Sequence, residues 1–289
     1  MQQIAVIGAG TMGRGIIETA VVHGLSVDVV EPDAAQQLSA VSAIEMSIAR
    51  GIKRGRIDLT NPDAAIEKIT WHRELAAAVE QAATVIEAVP ESESLKVDLF
   101  GQLGRHCGPE VILASNTSSV SITRLGAAAE RPERVIGMHF FNPVPIMQPV
   151  EVVRGIETAA ETVERTCQLA ETMGKQPFAV QDSPGFVVNR VLMPLINEAV
   201  FALQENIADR ETIDALMKLG CNHPMGPLEL ADFIGLDVCL SILQVLYQEL
   251  GDPKFHPCPL LTRTVAAGHL GRKTGRGFYE YQRPQSDSR

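Results

Sequence analysis

Short apolar, β-branched runs alternate with longer polar-apolar segments over the first 180 or so positions of the chain, at 4–7, 27–30, 85–89, 111–114, 135–138, 150–153 and 178–180. Runs of this length read as strand candidates. Between them the apolar residues fall on one helical face. Leu95, Leu99, Phe100 and Leu103 do so at i, i+4, i+5 and i+8, and Val163, Cys167 and Ala170 do so ahead of Gly174, a helix stop. Strand-helix alternation predicts βαβ units around a parallel sheet. The pattern changes after Asp182-Ser183-Pro184-Gly185. From 186 to about 267 the segments are helical, broken at Gly220, 223–227, Gly235 and 253–259. The boundary is therefore set near Pro184, giving an α/β domain over 1–184 and an all-α domain over 185–289. The polar stretch 283–289 is expected to fray.

Bulk properties narrow the classes. The chain has 289 residues, enough for two cores, with 45% hydrophobic residues and a formal net charge of −10. An acidic chain is a poor general binder of nucleic acid, so an anionic ligand needs a local basic cluster. The apolar run 191–203 is interrupted by Asn197 and Glu198, which argues against a membrane span. Met1-Gln2-Gln3-Ile4 lacks the basic start of a secretion signal. Five scattered cysteines with no Cys-x-x-Cys read as reduced thiols, so the expectation is a cytoplasmic protein without a metal site.

The first strand runs into Gly8-Ala9-Gly10-Thr11-Met12-Gly13. Gly8 permits the tight turn, Gly10 lets a pyrophosphate approach the backbone, and Gly13 lets the next helix close on the strand. Strand before, helix after, and Glu31 ending the second strand 18 residues beyond Gly13 make this a dinucleotide site in a doubly wound, Rossmann-type sheet. Glu31 can accept hydrogen bonds from the adenosine ribose and repels a 2′-phosphate, so NAD is expected rather than NADP. A glycine turn with no cofactor is the bland alternative.

A second constellation lies at 134–151. His139 ends an apolar strand, Asn142 follows, and Glu151 stands on the next apolar run. Pro143, Pro145 and Pro149 stiffen the connection, which can return Glu151 alongside His139. A histidine oriented by a carboxylate is a tuned proton acceptor, although a satisfied structural histidine is as common.

With these stand Glu-Ala-Val-Pro-Glu (87–91), Ser-Asn-Thr-Ser-Ser (115–119), His-Phe-Phe-Asn-Pro-Val-Pro (139–145) and Asp-Ser-Pro-Gly-Phe-Val-Val-Asn-Arg (182–190). Pro-Met-Gly-Pro-Leu-Glu-Leu (224–230) and Gly-Arg-Lys-Thr-Gly-Arg-Gly-Phe-Tyr (271–279) complete the set. In this order the motifs resemble the L-3-hydroxyacyl-CoA dehydrogenase family over residues 3 to about 281, and within it the short, single-function bacterial members acting on 3-hydroxybutyryl-CoA. The resemblance implies NAD-dependent interconversion of short-chain 3-hydroxyacyl-CoA and 3-ketoacyl-CoA. It implies His139 as general base, Glu151 as its orienting partner, Ser118 as a hydroxyl on the reacting oxygen, and Asn142 and Asn189 as site asparagines. Thr11, Met12 and Asn116 join Gly8, Gly10, Gly13 and Glu31 on the cofactor side. Glu91 and Lys96 match a carboxylate and a lysine near the cofactor, with solvated helix-start charges as the alternative.

Arg50, Lys53, Arg54 and Arg56 concentrate positive charge in this acidic chain, and 50, 53 and 54 can share a helix face. Alone, such a run is most simply a solvated face. The resemblance implies instead a helical arm near 34–58 that meets the phosphates of coenzyme A, with Ser47, Arg50, Lys53 and Arg54 as contacts. It further implies that the helical domain completes the substrate site and forms a homodimer. Pro194 is expected to kink its helix. Two other readings stay open: a related dehydrogenase of a free hydroxy or sugar acid, and a non-catalytic NAD-binding protein.

Overall fold

The computed structural model describes residues 3–281; the 283–289 stretch expected to fray lies outside the described residues. The chain divides into two compact units, Met1–Ser183 and Pro184–Arg289.

The first unit is built on eight strands: β1 Gln3–Ile7, β2 Ser26–Val30, β3 Ile69–His72, β4 Thr84–Glu87, β5 Ile112–Ser115, β6 Val135–Phe140, β7 Pro149–Arg154 and β8 Gln176–Gln181. They form one sheet in the order β3-β2-β1-β4-β5-β6-β7-β8. Every neighbouring pair is parallel except β6 and β7, which run antiparallel. Helices α1 Thr11–Val22, α2 Ala34–Lys53, α3 Asp63–Ile66, α4 Leu75–Val79, α5 Glu93–His106, α6 Ile122–Ala128 and α7 Ala160–Thr172 connect them. The central strands are buried end to end, as the uninterrupted apolar runs require when helices cover both faces. One large core joins Ile4 and Val6 of β1, Ile16 and Ile17 of α1, and Ile44 and Ile48 of α2.

Strand β3 has no counterpart among the seven strands read from the sequence. Its residues Ile69-Thr70-Trp71-His72 lie at the sheet edge, pair with β2 alone and are mostly half-buried, so no long apolar run marks them. The order reverses between β1 and β4, both of which start from the middle of the sheet. Ligands of such sheets bind beyond the carboxyl ends of the strands at this point. Gly8 turns there with φ +97, and a Cβ on it would stand 2.9 Å from the Ala88 carbonyl that follows β4. Gly15, one turn into α1, lets that helix lean on the loop after β6: its Cβ would stand 2.9 Å from Val144 Cβ.

The second unit comprises α8 Val188–Gln204, α9 Arg210–Gly220, α10 Pro227–Ile234, α11 Leu236–Leu250 and α12 Pro259–Ala266. They enclose a separate core that includes Met193, Leu228, Leu243 and Phe255. Pro194 lies inside α8, which runs on to Gln204. Two buried aspartates lock the layout. Asp214 of α9 accepts from the Leu228 and Glu229 N–H groups, each at 2.9 Å, and so caps α10 from a neighbouring helix. Asp232 of α10 accepts from the N–H groups of Phe278 and Tyr279, each at 2.9 Å, and from the Tyr281 hydroxyl at 3.0 Å. Gly277 is required at that contact, because a Cβ would fall 1.9 Å from Asp232 Oδ1. The glycine-rich 271–279 motif is thus an architectural clasp.

Candidate active site

His139 and Glu151 face each other across the antiparallel β6–β7 pair, directly opposed in register. Opposed residues on one face of such a pair bring their side chains together. His139 Nδ1 lies 2.7 Å from Glu151 Oε2, and both residues are buried, at 5% and 4% exposure. A carboxylate only accepts, so this bond assigns the ring proton to Nδ1 and leaves the Nε2 lone pair as the base. Ser118 Oγ stands 3.1 Å from that nitrogen. The Phe141 ring packs beside the imidazole, centroids 4.8 Å apart.

The loop between β6 and β7 joins the two paired strands. Its Asn142-Pro143 bond is cis, and the Ile146 and Met147 N–H groups both donate to the Pro143 carbonyl at 2.9 Å. Lys175, the residue before β8, is 9% exposed and donates to the Val144 and Met147 carbonyls at 2.5 and 2.9 Å. Asn142 sits at the exposed start of this loop.

The loop carrying Ser118 hangs from a hydrogen-bond network that runs from the exposed Glu91 to the buried Lys96 and Glu87. Glu91 Oε1 accepts from the Thr117 hydroxyl at 2.6 Å, the Ser118 N–H at 2.9 Å, and the Ser119 N–H and hydroxyl at 3.1 and 2.9 Å. Lys96 Nζ lies 3.3 Å from Glu91 Oε2 and 2.5 Å from Glu87 Oε1. Ser115 donates to the second Glu87 oxygen at 2.6 Å. The solvated reading of Lys96 is overturned, since it is 1% exposed between two carboxylates. Burial alone would raise the Glu91 carboxyl; Lys96 and the bonds from Thr117, Ser118 and Ser119 together hold it below the usual carboxylate range. Glu87 and Thr117 are absent from the residues singled out in the sequence. The available signal was a carboxylate ending the otherwise apolar strand Thr84-Val85-Ile86-Glu87. Asn116 is also knit into this frame, its side-chain oxygen accepting from the Phe140 N–H at 3.0 Å.

At the glycine turn, Glu31 Oε2 accepts from the Ala9 N–H at 3.2 Å and Oε1 from the Asp33 N–H at 3.2 Å. The carboxylate is thus fixed at the end of β2, beside the amino end of α1. Gly13 is closed by protein, for a Cβ would fall 1.9 Å from the Gly8 carbonyl oxygen. Gly10 is not: a Cβ there meets nothing within 4 Å. Among the described residues no packing demands a glycine at position 10, whereas a pyrophosphate lying against the backbone does. Thr11 and Met12 open α1 at this point, exposed and half-buried. The residues fit NAD.

A cavity of about 280 Å³ opens against the end of α2. Ser47, Arg50, Arg54 and Arg56 line it, with Glu18 of α1 and with Pro143 and Pro145 of the β6–β7 loop. Lys53 is exposed and outside this lining. At about 100° per residue, positions 47 and 50 stand roughly 60° apart on α2 with 54 between them just past its end, whereas 53 lies roughly 120° from 47. Arg56, Glu18 and Lys175 were not singled out as site residues in the sequence. Asn189 lies in the first turn of α8, buried within the second unit. Among the described residues no group of three or more His, Cys, Asp or Glu could hold a metal ion.

Comparison with known proteins adds the following. Residues 3–183 match the family pattern for the 3-hydroxyacyl-CoA dehydrogenase NAD-binding domain, and residues 185–281 match its C-terminal domain. A probable 3-hydroxybutyryl-CoA dehydrogenase of Bacillus subtilis (strain 168) is 50% identical over 99% of each chain. A 3-hydroxybutyryl-CoA dehydrogenase of Bradyrhizobium diazoefficiens is 47% identical over 98% of this chain and 96% of its own. The crystal structure of an (S)-3-hydroxybutyryl-CoA dehydrogenase from Ralstonia eutropha superposes with a TM-score of 0.94 at 46% identity, covering 98% of this chain and all of the other.

Proposed function

The chain belongs to the 3-hydroxyacyl-CoA dehydrogenase family, and from that premise we propose that it interconverts short-chain L-3-hydroxyacyl-CoA and 3-ketoacyl-CoA thioesters, such as 3-hydroxybutyryl-CoA and acetoacetyl-CoA. The observation that carries this reading is the His139–Glu151 pair with Ser118 at the Nε2 side of the imidazole. NAD, when bound, supplies the hydride acceptor for C3. His139 Nε2 takes the proton of the substrate 3-hydroxyl, and returns it to the carbonyl oxygen in the other direction. Glu151 keeps Nδ1 protonated and offsets the charge of the imidazolium as it forms. Ser118 hydrogen-bonds the same substrate oxygen and orients it toward His139. The Glu91–Lys96–Glu87 network acts on the reaction through that loop, by holding the Ser118 N–H. Glu31 and the N–H groups at the start of α1 hold the adenosine ribose and the pyrophosphate. Asn142 adds a polar contact to the substrate, and the family motif alone assigns Asn189 a substrate role.

The arm cavity is the coenzyme A subsite, where Arg50, Arg54 and Arg56 meet phosphate oxygens. On this reading Arg54→Ala raises the KM for acetoacetyl-CoA and leaves a truncated pantetheine thioester nearly unaffected. The same family reading makes the protein a cytoplasmic homodimer joined through the helical unit, active in fatty-acid metabolism. Five free thiols support a reducing compartment. Among the described residues no single helix is long and apolar enough to cross a membrane. Light scattering tests the dimer, and a monomeric mass removes it.

The deciding experiment follows NADH loss on adding acetoacetyl-CoA, with NADPH and a His139→Gln variant in parallel. Rapid NADH oxidation that vanishes in the variant is the expected result. Silence from protein that still binds NADH overturns the substrate assignment and points to a free hydroxy acid.

A further inference from the structure

Two features of the arm cavity conflict with an anionic guest. Glu18, 4% exposed, puts a carboxylate into the same lining as three arginines. Ser47 donates its hydroxyl to Glu18 Oε1 at 2.9 Å, so its one O–H is committed and it turns lone pairs toward the cavity. A phosphate oxygen needs donors, and a carboxylate beside it repels. Protonation of Glu18 removes both obstacles. The carboxyl O–H then donates to Ser47 Oγ, and the Ser47 O–H is released to donate to the phosphate.

We infer that Glu18 takes up a proton from solvent when a phosphate group of the coenzyme A thioester enters this cavity, so that Glu18 and Ser47 form a proton-linked gate on substrate binding. The inference rests on the reading of the cavity as the coenzyme A subsite. No covalent bond of the ligand changes; one proton passes from water to a Glu18 oxygen, and one hydrogen bond reverses. The groups that face Glu18 are Ser47 and Arg50 of α2, Arg56 of the turn after it, and Lys175 before β8. Lys175 is already committed to two carbonyls. Burial raises the Glu18 carboxyl above its ordinary range despite the pull of Ser47, Arg50, Lys175 and Arg56. A static role is the competing account: Glu18 would merely hold the arginines in place, and its loss would weaken binding at every pH.

The test is calorimetric titration of adenosine 3′,5′-bisphosphate into the full-length protein at about pH 6 and about pH 7.5, in two buffers of different ionisation enthalpy. Wild-type protein is expected to take up a fraction of a proton per ligand, and to lose affinity with rising pH by at most about tenfold per unit. The ligand's own phosphates titrate near pH ~6 and release protons on meeting cations, the opposite sign. Glu18→Gln, neutral and of equal size, is expected to abolish the uptake and to bind more tightly than wild type at the higher pH. Equal uptake in both proteins, or weaker binding by Glu18→Gln at both pH values, overturns the gate and leaves the cavity assignment intact. No binding by wild type, or unchanged binding in Arg54→Ala, removes the coenzyme A subsite and the gate with it. The wild-type uptake needs no variant, so a poorly folding Glu18→Gln does not spare the inference.

Discussion

A single hydrogen bond, His139 Nδ1 to Glu151, decides which ring nitrogen can act as a base. In Glu151→Gln the partner stays but the negative charge goes, so the imidazolium loses its offset. Turnover should fall by about 10²–10⁴-fold with little change in KM, measured by steady-state kinetics with acetoacetyl-CoA and NADH. An equal loss in both constants would make Glu151 a folding residue. The glycine turn separates function from packing at the same scale. Gly10→Ala meets no atom of the described residues within 4 Å and should keep the melting temperature while weakening NADH binding; Gly13→Ala drives its Cβ onto the Gly8 carbonyl and should lower the melting temperature itself. His139, Glu151 and Ser118 were legible as residues because strand-end position and motif mark them. Glu18 and Lys175 were not, because their partners are 29 and 31 residues away and no local pattern pairs them.

Between elements, the buried ion pair of Lys96 on α5 with Glu87 at the end of β4 ties helix to sheet beneath the serine loop. Lys96→Met leaves Glu87 uncompensated in the interior and should cost about 3–5 kcal/mol in urea denaturation. Removing both charges together, as Glu87→Leu with Lys96→Met, should restore much of that. Glu91, further out at 41% side-chain exposure, gives the loop its pH dependence. Its carboxyl is held low, so its contribution to the folded loop is present above the unfolded carboxylate value and is lost as pH falls through the lower folded one. Protection of the Ser118 and Ser119 amides against hydrogen exchange, taken relative to their intrinsic rates at each pH, should therefore fall in acid before the sheet opens. Element reading followed burial. Buried strands announced themselves as apolar runs, and edge strand β8 did so through Phe178-Ala179-Val180 although it is largely exposed, while edge strand β3 and the face of α2 that bears Lys53 lacked a sequence signal strong enough to place them.

At the scale of the whole molecule, a chain of net charge −10 must hold anionic ligands against its own field. The opposing charge is local, in Arg50, Arg54 and Arg56 around one cavity. Raising salt well above physiological strength shrinks the Debye length to a few ångströms, and the KM for acetoacetyl-CoA should rise several-fold while that for a pantetheine thioester holds. A rise in both would place the salt effect elsewhere. The sequence by itself determined the alternating α/β half, the helical half and the dinucleotide turn, because strand and helix periods, glycine spacing and strand-end acids are local. It also marked the histidine and its carboxylate, since the two lie 12 residues apart across one proline-stiffened loop. Tertiary structure alone decided the antiparallel register that opposes them, the suspension of the Ser118 loop from Glu91, and the meeting of Glu18 with the basic arm. Those contacts join residues far apart in the chain, and only the packing of helices on a twisted sheet brings them within hydrogen-bond reach.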